Sequence, residues 1–349
     1  MRIPDFNNIL KVLRCEEPDR PTLFEFFMNG PLDTFLAGFE TDPDDELGQA
    51  KHDIFAFKNA GYDYATSWGL LQKTLHFPSG EQARKSSVSM NDGALITDRE
   101  SFENYQWPEI DTFEYSQYEK IKPFLPEGMK IIVNGPGGVL ENTVSLVGYE
   151  NLCIMSVEDP DLLQKIFDAV GSRLADHYTE AVKYDTVGAL IGNDDWGFNT
   201  QTMLPPADLD RYVFKWHRRI VEIAHDAGMP AILHSCGNLS KVMDVVIDDI
   251  GYDGKHSFED KIQPVEEAYE QYGDRIAIMG GIDVDFICRR SPEEVYERSA
   301  NMLDRAEGRG GFALGSGNSI PTYVPDEGYL AMIRAAAPDA ECQSRIPVG

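Results

Sequence analysis

Pro230-Ala-Ile-Leu-His-Ser-Cys-Gly-Asn238 is a short apolar run that opens into a polar, glycine-bearing turn. A buried strand that ends in a loop has this form, and in a barrel of parallel strands the loop after a strand is where chemistry is built. If Ala231-Ile-Leu is such a strand, the period-two alternation sends His234 and Cys236 to the same side. An imidazole and a thiolate placed so can share one borderline-soft metal such as zinc. A packing reading stands beside the metal one, with Cys236 a small core residue and His234 a hydrogen-bonded strand end. Two ligands do not make a site, and a third has to come from another strand.

Working outward, the same rhythm of apolar run, polar loop and amphipathic stretch recurs along the chain. The other strand candidates are Thr22-Leu-Phe-Glu-Phe-Phe27, Tyr62-Asp-Tyr-Ala-Thr-Ser-Trp68, Lys130-Ile-Ile-Val-Asn-Gly135, Ala189-Leu-Ile-Gly-Asn-Asp194, Gly254-Lys-His-Ser-Phe-Glu259, Ile276-Ala-Ile-Met-Gly-Gly281 and Gly311-Phe-Ala-Leu-Gly-Ser316. Helical stretches fit between them: Asp159 to Val182, Arg211 to Ala227 ending at Gly228, and a capping-box start at Ser291-Pro-Glu-Glu294. The pattern predicts an α/β chain folded as a (β/α)8 TIM barrel, a single domain over 1–349 with an N-terminal helical segment. Residues 86–119, acidic and aromatic with Asn104-Tyr-Gln-Trp-Pro108, follow neither period. They predict an insertion covering the barrel mouth, with a plain surface excursion as the alternative.

Composition narrows the function. Hydrophobic residues at 42% and charged ones at 26% mark an ordinary folded domain rather than a disordered one. With 31 Lys plus Arg against 59 Asp plus Glu, the net charge of −28 speaks against nucleic acid and anionic membranes as partners. Met1-Arg-Ile-Pro-Asp-Phe6 has no apolar signal core and no stretch approaches 18 apolar residues, so a cytoplasmic location without a membrane span is expected. Five scattered cysteines, never in a Cys-x-x-Cys pair, argue against a disulfide framework and leave thiols free to ligate.

Every candidate strand ends in polar groups. Glu25 and Asn29 follow the first, Trp68 the second, Asn134 the third and Asn193-Asp-Asp-Trp196 the fourth; His256 and Glu259 follow the sixth, Asp283 the seventh and Ser316-Gly-Asn318 the eighth. Singly, such residues cap helices; together they describe a polar, carboxylate-lined mouth. Phe26, Phe27, Trp68, Trp107, Trp196 and Phe198 lie on or near these loops, which suits either an aromatic substrate or core packing. The turns Gly135-Pro-Gly-Gly138 and Gly315-Ser-Gly317 match no phosphate-binding signature, so close packing or substrate clearance explains them better.

The order Asp19-Arg-Pro21, His234-Ser-Cys-Gly-Asn238, Gly280-Gly-Ile-Asp283, Ser291-Pro-Glu-Glu294 and Gly310-Gly-Phe-Ala-Leu-Gly-Ser-Gly-Asn-Ser-Ile-Pro321 resembles the uroporphyrinogen decarboxylase superfamily over nearly the whole chain. In the decarboxylases of that superfamily an arginine-rich segment after the first strand grips the substrate carboxylates. Here the place reads Phe24-Glu-Phe-Phe-Met-Asn-Gly-Pro-Leu32, an acid and no arginine, which disfavours a porphyrinogen substrate. The resemblance is closer to the corrinoid-dependent methyltransferases, whose zinc is held by His-x-Cys and by a later cysteine in the final glycine-rich loop. His234 and Cys236 match the pair, and Asn318 stands where the later cysteine is expected. An oxygen ligand then completes the set, Glu259 first and Asp283 or His256 next.

The resemblance implies a zinc-dependent methyltransferase that moves a methyl group between a small substrate, such as an aryl methyl ether undergoing O-demethylation, and cobalamin carried by a partner corrinoid protein. The chain has no Asp-x-His-x-x-Gly motif with which to bind cobalamin itself. In this scheme Asp194 and Glu25 are the catalytic acids, and Phe27, Asn29, Trp68, Asn134, Trp196 and Asn318 line the substrate. A metal-free decarboxylase and a non-catalytic corrinoid or small-ligand barrel are the alternatives. A homodimer is the self-association expected, if any.

Overall fold

The computed structural model describes residues 2–42, 44–67, 75–78, 90–91 and 93–345. Its centre is one all-parallel sheet of seven strands in sequential order: β1 Tyr64–Thr66, β2 Lys130–Asn134, β3 Val187–Asn193, β4 Ala231–His234, β5 Gly254–His256, β6 Ala277–Met279 and β7 Phe312–Ala313. Each coincides with a predicted strand. Most of these runs are apolar because helices cover the outside while the barrel core fills the inside, and β5 is the exception with Lys255 at its centre.

The eighth expected strand is the difference. Residues 22–28 run extended and touch the chain just after β7 through single bridges, Leu23 to Leu314 and Met28 to Ile320, with no ladder to β1. Contact with β1 is made by a side chain instead: the Tyr64 hydroxyl donates to the Glu25 carbonyl at 2.8 Å. The hydrogen-bonded strands among the described residues therefore number seven, and an extended segment stands where the barrel would close.

The predicted helices form where their caps place them. Pro160–Ala181 starts at Asp159, whose carboxylate accepts from the Leu162 N–H, and Pro292–Ala306 starts at the reciprocal Ser291 and Glu294 capping box. Near the N-terminus, Asn7–Leu13 packs at the N-terminal ends of the strands, where Leu13 lies against Gly254 and Phe6 against Gly188. This leaves the C-terminal ends facing the opposite way.

Of the stretch expected over the mouth, residues 90, 91 and 93–119 are described, and their 99–118 part runs along the outside of the Pro160–Ala181 helix. Arg99 pairs with Asp159, Arg173 donates to the Pro108 carbonyl, and the Tyr115 hydroxyl meets His177. Trp107 belongs to this packing, with Arg173 5.1 Å from its ring centre, and not to a substrate surface. No helix among the described residues is long and apolar enough to cross a membrane.

Candidate metal centre

β3, β4 and β5 build the site by register. Asn193 pairs with His234 and His234 with His256, so the three strand ends stand side by side. Two residues further on, Asp195 and Cys236 are also level, and the Cys236 N–H donates to Asp195 Oδ1 at 2.8 Å. Ligand atoms of Asp195, His234 and Cys236 all lie within 4.8 Å of one another. One imidazole, one thiol and one carboxylate form a donor set suited to zinc. The thiol is surrounded by donors: Ser257 Oγ at 3.5 Å and Asn318 Nδ2 at 3.4 Å both point at Cys236 Sγ. A sulfur anion would be stabilised by that surrounding.

His234 is buried, and Asp195 and Cys236 are half-buried. Burial first, then the charges of His256 and Lys255, hold the His234 imidazole well below its ordinary range, so it is neutral and has a lone pair to give. Burial, aided by the Asp195 charge, pushes the Cys236 thiol up to about 12. Only a strong Lewis acid or a compensating cation would make it a thiolate at neutral pH. The Phe26 ring sits 4.4 Å from that of His234 and walls off one side.

The acid beside the pair is Asp195, not Glu259. Glu259 lies in the loop after β5 and lines a cavity of about 310 Å³ with Gly237, Lys255, Ser257 and Gln263, outside the cluster of Asp195, His234 and Cys236. Burial and the Asp283 charge raise its pKa. Asp283 is spent on backbone N–H groups, those of Phe286 at 2.9 Å and Asp260 at 2.8 Å. His256 stands behind His234, Nδ1 to Nδ1 at 2.8 Å, rather than beside Cys236. Register was the signal available for Asp195: the acid level with Cys236 on the adjoining strand.

The remaining expected residues fall into two groups. Asp194 is buried and turned into the scaffold; its oxygens accept from the Leu140 and Glu141 N–H groups at 2.9 to 3.0 Å and face His217 Nε2 at 3.1 Å. It caps the Val139–Val147 helix, and Gly138 is glycine because a Cβ there would stand 2.1 Å from the carboxylate. Asn134 is bound by Ser67 and Gly135, and Asn29 caps the Gly30–Ala37 helix while holding the carbonyls of Ile320 and Pro321. Trp196 is fully buried against His217 and Phe214. The side chains of Asp194, Asn134 and Asn29 are held by hydrogen bonds within the scaffold, and that of Trp196 by packing.

Glu25 is fully buried as well, with Ser316 donating from Oγ at 2.9 Å and from N at 3.3 Å. Burial raises its carboxyl to about 8. It holds the final glycine-rich loop rather than the mouth. Phe27 is half-buried beside Phe26, and Asn318 points at the sulfur as above. Trp68 lies outside the described residues.

The sequence profile described as uroporphyrinogen decarboxylase (URO-D) matches residues 121–337, more than half of the chain. The chain belongs to the uroporphyrinogen decarboxylase family. Within that family it is 24% identical over 191 residues to a methylated-thiol–coenzyme M methyltransferase of Methanosarcina mazei, covering 54% of this chain and 48% of that one. It is 25% identical over 243 residues to a uroporphyrinogen decarboxylase of Anaeromyxobacter, covering 65% and 67%. The match thus spans about half the length of the methyltransferase relative. In fold it is similar to the solved structure of a methyltransferase from Methanosarcina mazei, with a TM-score of 0.69 at 15% identity over 97% of this chain and 99% of that one.

Proposed function

We propose that the protein is a zinc-dependent methyltransferase that moves a methyl group between a small substrate, an aryl methyl ether in the first instance, and cobalamin carried by a separate corrinoid protein. The observation that carries the reading is the convergence of Asp195, His234 and Cys236 within 4.8 Å at the strand ends. These three side chains would hold the metal. Bound there, zinc supplies Lewis acidity that eases departure of a phenolate or the ionisation of a thiol at neutral pH.

The chain's own residues do the rest. Asp195 keeps one oxygen on the Cys236 N–H and has the other to offer. Ser257 and Asn318 donate to the Cys236 sulfur, which favours its anionic form. Phe26 shields His234 and keeps bulk water from that face of the site. A carboxylate in place of a second thiolate leaves more positive charge on a bound metal, which favours an oxygen leaving group over a thiol. We assign Asp194 and Glu25 to holding the site's frame, not to contact with substrate.

The decarboxylase reading draws on the names of several relatives, yet the Phe24 to Leu32 segment presents no arginine to a polyanion. A single set of assays separates the readings. Zinc-loaded protein, a reduced corrinoid protein and methoxybenzene-type donors should yield methylcobalamin and the free phenol, and chelation should abolish both. Carbon dioxide release from uroporphyrinogen by metal-free protein would overturn the proposal. Ligand binding without turnover on any methyl donor would favour a silent barrel.

A further inference from the structure

Behind the three candidate ligands a hydrogen-bond chain runs from His234 through His256 to the final glycine-rich loop. β4 and β5 bring His234 and His256 level, and their Nδ1 atoms meet at 2.8 Å. Two imidazole nitrogens at that distance share one proton, and the far side of the His256 ring decides which of them owns it. There Nε2 lies 3.1 Å from the Ser316 carbonyl oxygen, which can only accept. His256 must carry its hydrogen on Nε2. A neutral ring has a single N–H, so His256 Nδ1 is bare and accepts from His234. The hydrogen of His234 then sits on Nδ1, and its Nε2 is left bare. That nitrogen is the one 3.9 Å from Cys236 Sγ.

The reverse arrangement would need an imidazolium at His256. The ring is fully buried, has the Phe24 ring at 5.1 Å, and has no carboxylate within ion-pair distance among the described residues. An unpaired charge in such a place costs several kcal/mol. The carbonyl that sets the direction is itself pinned. It also accepts from the Gly281 N–H at 2.8 Å, and the Ser316 side chain and N–H both donate to Glu25. The approach of ring to carbonyl needs an empty position 280, where a Cβ would stand 2.3 Å from Ser316 O and 3.0 Å from His256 Nε2. Gly280 adopts φ +71, which other residues rarely do.

We infer that His256 is a positioning residue, which fixes the tautomer of His234 so that its Nε2 lone pair faces Cys236 and Asp195. The consequence for metal binding rests on the proposed zinc site, whereas the tautomer rests on the hydrogen bonds alone. In other sites, hydrogen-bond partners that orient a metal-binding histidine in this way change metal affinity by about 10–100-fold.

Two measurements on the full chain test the inference separately. In metal-free, ¹⁵N-labelled protein, long-range ¹H–¹⁵N correlation of the imidazoles should find His234 protonated on Nδ1 and His256 on Nε2. His234→Gln and His256→Gln single variants would assign the signals. The opposite pattern in either ring overturns the inference. Zinc affinity, read by competition with a chromophoric chelator, should fall about 10–100-fold in His256→Leu. It should fall less in His256→Gln, whose amide oxygen keeps an acceptor for His234. A His256→Leu variant that binds zinc as tightly as the parent also overturns it. If the parent takes up no zinc, the metal reading fails and the spectra alone decide the tautomer.

Discussion

Asp194 and Asp195 are neighbours in the chain, both follow β3, and they serve opposite ends. Asp194 spends its carboxylate on the N-terminus of the Val139–Val147 helix and on His217, whose Nδ1 meets the Tyr252 hydroxyl at 2.7 Å. Asp195 makes one backbone contact and leaves the rest of its carboxylate beside Cys236 and His234. The same contrast separates two sectors of the strand ends. On the β2 and β3 side, Asn134, Asp194 and His217 are consumed by the scaffold. At the ends of β4 and β5, His234 and Ser257 face the Cys236 sulfur, joined by Asn318 from the loop after β7. A polar residue at a strand end is therefore free for chemistry only where no helix N-terminus or loop has already claimed it.

The contrast breaks most readily on stability. Asp194→Ala leaves His217 Nε2 and two helix N–H groups buried without a partner, and should cost about 3–5 kcal/mol in chemical denaturation. Asp195→Ala should cost no more than about 1 kcal/mol, because its lost bond is one N–H at a half-buried site. Equal losses in the two variants would remove the distinction. Zinc retention should run the other way, falling at least about 100-fold in Asp195→Ala and staying at the parent value per folded Asp194→Ala chain.

Glu25 sharpens the comparison from the scaffold side. Its folded value of about 8 lies above the ordinary 4.5, so the folded state holds the proton more tightly than the unfolded one. The stability it contributes is present below pH 4.5 and is lost as pH rises toward about 8. Glu25→Gln should flatten that slope relative to the parent and stabilise by about 1–3 kcal/mol at pH 8, in denaturant melts at several pH values. A slope unchanged by the substitution would show that the carboxyl ionises freely in the fold.

The smallest expected effect is at position 318. Asn318→Ala removes one hydrogen bond to the Cys236 sulfur and should weaken zinc by about tenfold at most, in chelator competition. A complete loss would make Asn318 a ligand in its own right.

Much of this was legible in the amino-acid order. Seven strand runs were readable because buried parallel strands are continuously apolar, and His234 with Cys236 because alternation needs only two positions on one strand. The extended 22–28 segment was not separable from a strand, since pairing depends on which neighbour comes within reach. Asp195 was missed for a related reason. Choosing between adjacent acids requires knowing that β3 ends at Asn193 and that Asn193 is level with His234, a lateral fact that one strand read alone does not contain. Glu259 follows β5 as the scheme requires, but β5 ends at His256 and the three further residues of loop leave the acid outside the cluster of Asp195, His234 and Cys236. Trp196 looked like a substrate wall because its burial comes from a helix distant in sequence, through His217 and Phe214.

Cobalt(II) titration of metal-free protein, followed by absorbance, tests the centre most directly. The parent should bind one equivalent with a thiolate-to-metal charge-transfer band. That band should vanish in Cys236→Ser, weaken sharply in Asp195→Ala and His234→Ala, and persist in Asp194→Asn and Glu259→Gln. Parent-like binding by Asp195→Ala, or loss of the band in Glu259→Gln, would contradict the account.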